Sequence, residues 1–186
     1  MNHTTNIRPV APLLTACVFG LLAGCGSVGD FGSAAARATA ALMPTAAINP
    51  NPTIGTVAFT ALGHGVRVAG EVRNLPPNTE HGFHIHEKGD CGDNGNASGG
   101  HFNPAGGVHG KFGAPGSHAG ELPSLMADAA GVARFSVEVH GVSLAEGAAN
   151  SVIGRALVVH RDRDDFTTQP AGNSGPRVAC AVIRRG

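Results

Sequence analysis

Apolar and polar residues alternate most cleanly through Val132-Ala133-Arg134-Phe135-Ser136-Val137-Glu138-Val139, the period-two signature of a strand with one face in a core and the other in water. Comparable runs at residues 38–43, 53–61, 66–73, 80–86, 122–128, 152–160 and 177–183, each bounded by turn residues, bring the expected strands to eight. Asp128-Ala129-Ala130-Gly131 and Leu62-Gly63-His64-Gly65 read as hairpin connections. No segment carries a convincing helical period. The pattern predicts an all-β domain, an eight-stranded antiparallel Greek-key sandwich or flattened barrel. Two connections, residues 87–121 and 161–176, are long and rich in polar residues; loops of that length in a compact domain are usually functional.

Composition narrows the function. The 186 residues hold 13 Lys+Arg against 13 Asp+Glu, with neither Trp nor Tyr, so nothing resembles a nucleic-acid footprint. With 28 Gly and only 14% charged residues, the chain suits a turn-dense β domain better than a helical bundle.

The first residues form an export address. Arg8 precedes an apolar stretch over 10–23 that ends in Leu22-Ala23-Gly24-Cys25, too short for the roughly 20 residues a membrane-spanning helix needs. The small residues before Cys25 resemble a lipoprotein cleavage box, with an ordinary cleaved signal as the alternative. This divides the chain into a signal peptide over 1–24, a Gly/Ser/Ala tether over 25–37 beginning at a lipidated Cys25, and a domain over 38–186. The expected location is a bacterial cell envelope, lipid-anchored on the periplasmic side or the cell surface. Beyond Cys25 only Cys91 and Cys180 remain. An even pair in an exported chain makes a disulfide the economical reading and two buried thiols the alternative.

The histidines carry the chemistry. His84 and His86 stand two apart on an expected strand, so both project from one face. His101, His109 and His118 are spaced eight and nine apart through the first long loop, Glu121 follows, and His160 closes another strand beside the second loop. Six imidazoles and a carboxylate exceed the four ligands of one zinc, which implies two metals. Imidazole-rich sets suit copper and zinc. His64 and His140 lack such company and read as turn or surface residues.

Gly82-Phe83-His84-Ile85-His86-Glu87, Gly99-Gly100-His101-Phe102-Asn103-Pro104, Gly154-Arg155-Ala156-Leu157-Val158-Val159-His160 and Gly175-Pro176-Arg177-Val178-Ala179-Cys180 resemble the signature segments of copper-zinc superoxide dismutases. The resemblance runs from about residue 38 to the C-terminus. It implies a β-sandwich and dismutation of superoxide to O2 and H2O2 by alternate reduction and reoxidation of copper. Copper would be held by His84, His86, His101 and His160. Zinc would be held by His101, His109, His118 and Glu121, with His101 bridging. The resemblance also implies a Cys91–Cys180 disulfide, Asp164 as a carboxylate orienting one histidine of each metal, Arg177 as the anion-binding guanidinium, and His81 as a structural histidine.

Two features depart from the family. Glu121 stands where its members carry Asp, and the extra methylene, about 1.5 Å, implies looser zinc binding. The second long loop holds no Lys, and Lys111 is the one nearby candidate for steering, so electrostatic guidance of superoxide is expected to be weak. The partners implied are superoxide and, through Cys25, a membrane. A homodimer is one of two states found among bacterial relatives, and no apolar stripe decides between them. A superoxide dismutase-like lipoprotein that buffers copper without turnover is the alternative function.

Overall fold

The computed structural model describes Met1 and residues 35–45 and 52–186. Cys25, the expected signal peptide and most of the expected tether lie outside them. Ten strands form among the described residues: β1 (Arg37–Pro44), β2 (Ile54–Leu62), β3 (Gly65–Arg73), β4 (Glu80–His81), β5 (Phe83–His86), β6 (Leu125–Met126), β7 (Ala133–Val139), β8 (Ala156–His160), β9 (Arg177–Val182) and β10 (Arg184–Arg185). The first begins one residue inside the expected tether.

Neighbouring strands run β5-β8-β9-β1-β2-β3-β7, all antiparallel, in one curled sheet. Strand β1 is the turning point: Arg37 to Leu42 pair with β2, while Met43 and Pro44 pair with β9. The sheet thus folds over itself. Leu42, Val57, Phe59, Val66, Val68 and Val72 meet Phe83, Ile85, Leu157, Val159 and Ile183 in one core. Each such side chain contributes about 1.5–3 kcal/mol when fully removed from water.

Strand β8 is buried along its whole length. Its inner face joins the main core, while Ala156 and Val158 pack with Cys180 and Cys91 on the other side. Cys91 and Cys180 are disulfide-bonded, with 5.7 Å between Cα atoms and 89 residues of separation. In the chain-entropy view, closing so long a loop limits the unfolded state by roughly 4 kcal/mol. The bond also lays the first long loop on the sheet beside the histidines.

Three expected strands are shortened by tertiary context. The run over 80–86 breaks at Gly82, whose N–H donates to Asp162 O at 2.8 Å and whose carbonyl accepts from His160 N–H at 2.8 Å, leaving β4 and β5 in different sheets. The run over 122–128 contains Pro123 and pairs only at Leu125–Met126. Residues 152–155 turn before β8 begins. The first long loop also holds a short 3-10 segment, Asp93–Ser98, bent by left-handed Asn94 and Gly95, where no helix was expected.

Candidate metal centre

Strand β5 turns His84 and His86 to the same side, and β8, its antiparallel neighbour, ends in His160. The fourth member, His101, is brought in by an isolated bridge between His86 and His101. Ligand-capable atoms of these four buried side chains all lie within 4.8 Å of one another. In three of the rings one nitrogen is already committed. His84 Nε2–H donates to Asp164 Oδ2 at 2.7 Å, His86 Nδ1–H to Gly99 O at 2.9 Å and His160 Nδ1–H to Gly175 O at 3.1 Å. The remaining nitrogens are His84 Nδ1, His86 Nε2 and His160 Nε2. Among the described residues, buried His84 Nδ1 and His101 Nε2 have no hydrogen-bond partner. His86 Nε2 and His160 Nε2 face each other at 3.3 Å. Such outer partners fix the tautomer and leave the inner nitrogen a free lone pair.

A second cluster continues from the far side of His101. Its Nδ1 lies 3.0 Å from Glu121 Oε1, His109 Nδ1 lies 2.9 Å from the same oxygen, and His118 Nδ1 lies 2.8 Å from it, the last without hydrogen-bond geometry. Four ligands of a tetrahedral zinc at its usual 2.0–2.1 Å bond length stand about 3.3 Å apart, close to this spacing. Glu121 Oε2 is also buried without a partner, 3.5 Å from His84 Nε2. The orphaned atoms and the donor types, four imidazoles in one set and three with a carboxylate in the other, would suit two metal ions, and His101 belongs to both sets.

Asp164 ties the clusters together from outside, since its Oδ1 accepts from His109 Nε2–H at 2.9 Å while Oδ2 takes His84. Its own position is set by Phe166 N–H, which donates to Oδ1 at 2.8 Å. Arg177, half-buried at the start of β9, donates from Nη1 to Gly95 O and to Ser98 Oγ (2.9 Å), and from Nη2 to Gly99 O (2.7 Å). The Gly99 carbonyl therefore holds both Arg177 and His86. Among the described residues, one Nη2 hydrogen and the Nε hydrogen have no acceptor. His81 is buried outside both clusters, with Nδ1 donating to His160 O at 3.0 Å and Nε2 2.7 Å from Thr79 Oγ1. His64, just before β3, and His140, just after β7, are exposed and stack on one another with ring centroids 5.4 Å apart. The anchoring carbonyls of Gly99 and Gly175, and the side-chain amide of Gln169 at His109, carry no sequence signal, because any residue supplies a carbonyl and Gln169 lies in an exposed loop.

The electrostatics favour neutral rings ready to ligate. Burial lowers His84 and His86 well below the ordinary histidine value, and neighbouring imidazoles push them further. His160 falls to about 4, mainly through burial and against the hydrogen bond to Gly175 O. Burial pushes the Glu121 carboxyl up, but the hydrogen bond from His101 and the charges of His101, His84 and His109 outweigh it and leave Glu121 below the usual carboxylate range.

Residues 53–183 match the family model described as copper/zinc superoxide dismutase (SODC). The chain is 42% identical over 135 residues to "Superoxide dismutase [Cu-Zn] 2" of Aquifex aeolicus, covering 70% of this chain and 79% of that protein. It is 38% identical over 141 residues to "Extracellular superoxide dismutase [Cu-Zn]" of Haemonchus contortus, covering 73% of this chain and 75% of the relative. Among solved structures, the clock protein EA4 superimposes with a TM-score of 0.70 at 35% identity, covering 82% of this chain and 96% of its own.

Proposed function

Because this chain belongs to the copper/zinc superoxide dismutase family, we propose that the two joined clusters are its two metal sites. Copper is assigned to His84 Nδ1, His86 Nε2, His101 Nε2 and His160 Nε2, and zinc to Glu121 and the Nδ1 atoms of His101, His109 and His118. The observation that carries this assignment is the pairing of each committed ring nitrogen with an outer acceptor, which leaves the opposite nitrogen turned inward.

The protein is an enzyme that dismutes superoxide to O2 and H2O2, with copper and zinc as its cofactors. When bound, copper supplies reversible one-electron exchange with superoxide and zinc a fixed positive charge. The chain's residues do the rest. His101 Nε2, buried and without a hydrogen-bond partner, is the atom that can hold a proton between half-reactions and pass it to reduced oxygen. Arg177 is always charged, and its anchored Nη1 leaves the free donors in a fixed orientation toward a small anion. Asp164 holds His84 and His109 in the tautomers that each set requires.

The assignment is tested with full chain loaded with both metals. His160→Ala is expected to lose copper and superoxide decay while retaining zinc, and His109→Ala to lose zinc while retaining copper. Loss of both metals from each variant, or wild-type decay in His160→Ala, would overturn the division.

The Cys91–Cys180 bond belongs to an oxidising compartment, and together with the extracellular relative it supports export. The signal over 1–24, the lipid on Cys25 and the tether over 25–37 complete this reading from the sequence. Mass spectrometry of envelope protein is expected to find acylated Cys25 as the first residue. A Cys25→Ala protein that remains in the membrane fraction would argue against the anchor.

A further inference from the structure

The extended run through His109 is held on one edge by backbone and on the other by side chains. Val108 N–H donates to Gly116 O at 3.0 Å and His118 N–H to Val108 O at 3.1 Å. On the opposite edge Asn103 Oδ1 accepts from Gly107 N–H at 2.8 Å, and its Nδ2 donates to Gly107 O at 3.0 Å. Gln169 repeats the arrangement two residues on: Oε1 accepts from His109 N–H at 2.9 Å and Nε2 donates to His109 O at 2.9 Å. In an extended chain the backbone groups of residues i and i+2 face the same side. The two amides therefore stand where a neighbouring strand would stand.

We propose that Gln169 is a positioning residue for zinc, fixing the peptide frame of His109 so that Nδ1 stays on the Glu121 side. This rests on the assignment of His109 to zinc made above. Asp164 alone does not suffice. Its bond to Nε2 holds one corner of the buried ring and leaves the position of Nδ1 to the freedom of the peptide frame that carries the side chain, whereas ligand distances tolerate only about ±0.2 Å. The backbone clamp removes that freedom. Because Gln169 lies 60 residues from His109 and shares its loop with Asp164 and Gly175, the second long loop grips His109 at its ring and at both backbone groups. Zinc retention thereby depends on a loop that supplies no zinc ligand.

Gln169 is exposed, so substitutions there leave the core intact. Gln169→Met keeps the length and removes both hydrogen bonds. Gln169→Glu keeps the acceptor for His109 N–H but sets a carboxylate against His109 O. Zinc release from doubly loaded full chain is followed with a chromophoric chelator, copper retention by its visible absorption, and exchange of the His109 amide hydrogen by NMR. The expected result is a zinc dissociation constant raised about 10- to 100-fold in Gln169→Met, the range for disturbing an outer partner of a metal ligand. Gln169→Glu should also bind zinc more weakly, copper should be retained in both, and faster His109 exchange should appear in Gln169→Met only. Wild-type zinc binding in Gln169→Met overturns the proposal. Equal losses of zinc and copper overturn it too, by making Gln169 a general loop staple. Wild-type protein that binds copper but no zinc would instead remove the metal assignment on which the proposal stands.

Discussion

Replacing Glu121 by Asp isolates one methylene at the most crowded point of the centre. Glu121 Oε1 stands 3.0, 2.9 and 2.8 Å from the Nδ1 atoms of His101, His109 and His118. Its backbone is not free to follow a shorter side chain. Gly120 N–H donates to Phe102 O at 2.8 Å and Gly120 O accepts from Ile85 N–H at 2.8 Å, while Leu122 on the other side is buried in the core. An Asp carboxylate would end about 1.5 Å short, stretching these approaches to roughly 4 Å where a metal site accepts a few tenths of an ångström. The zinc dissociation constant should rise by at least about 10- to 100-fold, equivalent to about 1.4–2.7 kcal/mol, with copper binding unchanged. Chelator competition at neutral pH reads the zinc constant directly. Comparison with the family's Asp points the other way, to Glu121 as the poorer ligand. Equal or tighter zinc binding in Glu121→Asp would refute the fixed-backbone reasoning, and only tighter binding would reinstate that expectation.

Gly172 adopts φ +66°, and a Cβ there would lie 1.9 Å from Asp164 Oδ1 and 2.5 Å from His109 Nε2. Gly172→Ala should therefore break the Asp164–His109 bond and weaken zinc binding about 10-fold or more; chelator competition showing wild-type affinity would argue against it. In metal-free protein, His160 titrates near 4 when folded and near its ordinary 6.5 when unfolded. Between these values the unfolded chain takes up a proton that the folded one refuses, so stability is lost as the pH is lowered across that window, by roughly 3 kcal/mol, and His84 and His86 act in the same direction. Urea midpoints of the metal-free protein that stay flat from about pH 7 to 4.5 would contradict this assignment. The rate of superoxide decay should decline only shallowly as salt shortens the screening length, because the second loop carries no Lys and Arg177 is half-buried. A steep decline in pulse-radiolysis or stopped-flow rates would show that steering charges exist elsewhere.

The class of fold, the residues that gather in the two histidine clusters and the cysteine pair are legible along the chain. Alternation records which side of each strand meets the core, and that is a local property, so the runs around β1, β2, β3 and β7 are readable to within a residue or two. His84 and His86 share a face because side chains on a strand repeat every two residues. The break at Gly82 and the short pairing at Leu125–Met126 were not legible, because both depend on partners distant in the chain. Which nitrogen of each ring turns inward is set by contacts between segments far apart in the chain. That choice rests on acceptors such as Asp164, 80 residues from His84, and Gly175 O, 15 residues from His160. The setting of Arg177 against Gly95, Ser98 and Gly99, and the Gln169 clamp on His109, belong to the same kind. A residue type announces that it can ligate or donate, whereas the direction of a lone pair is fixed only when two loops far apart in the chain close over one point.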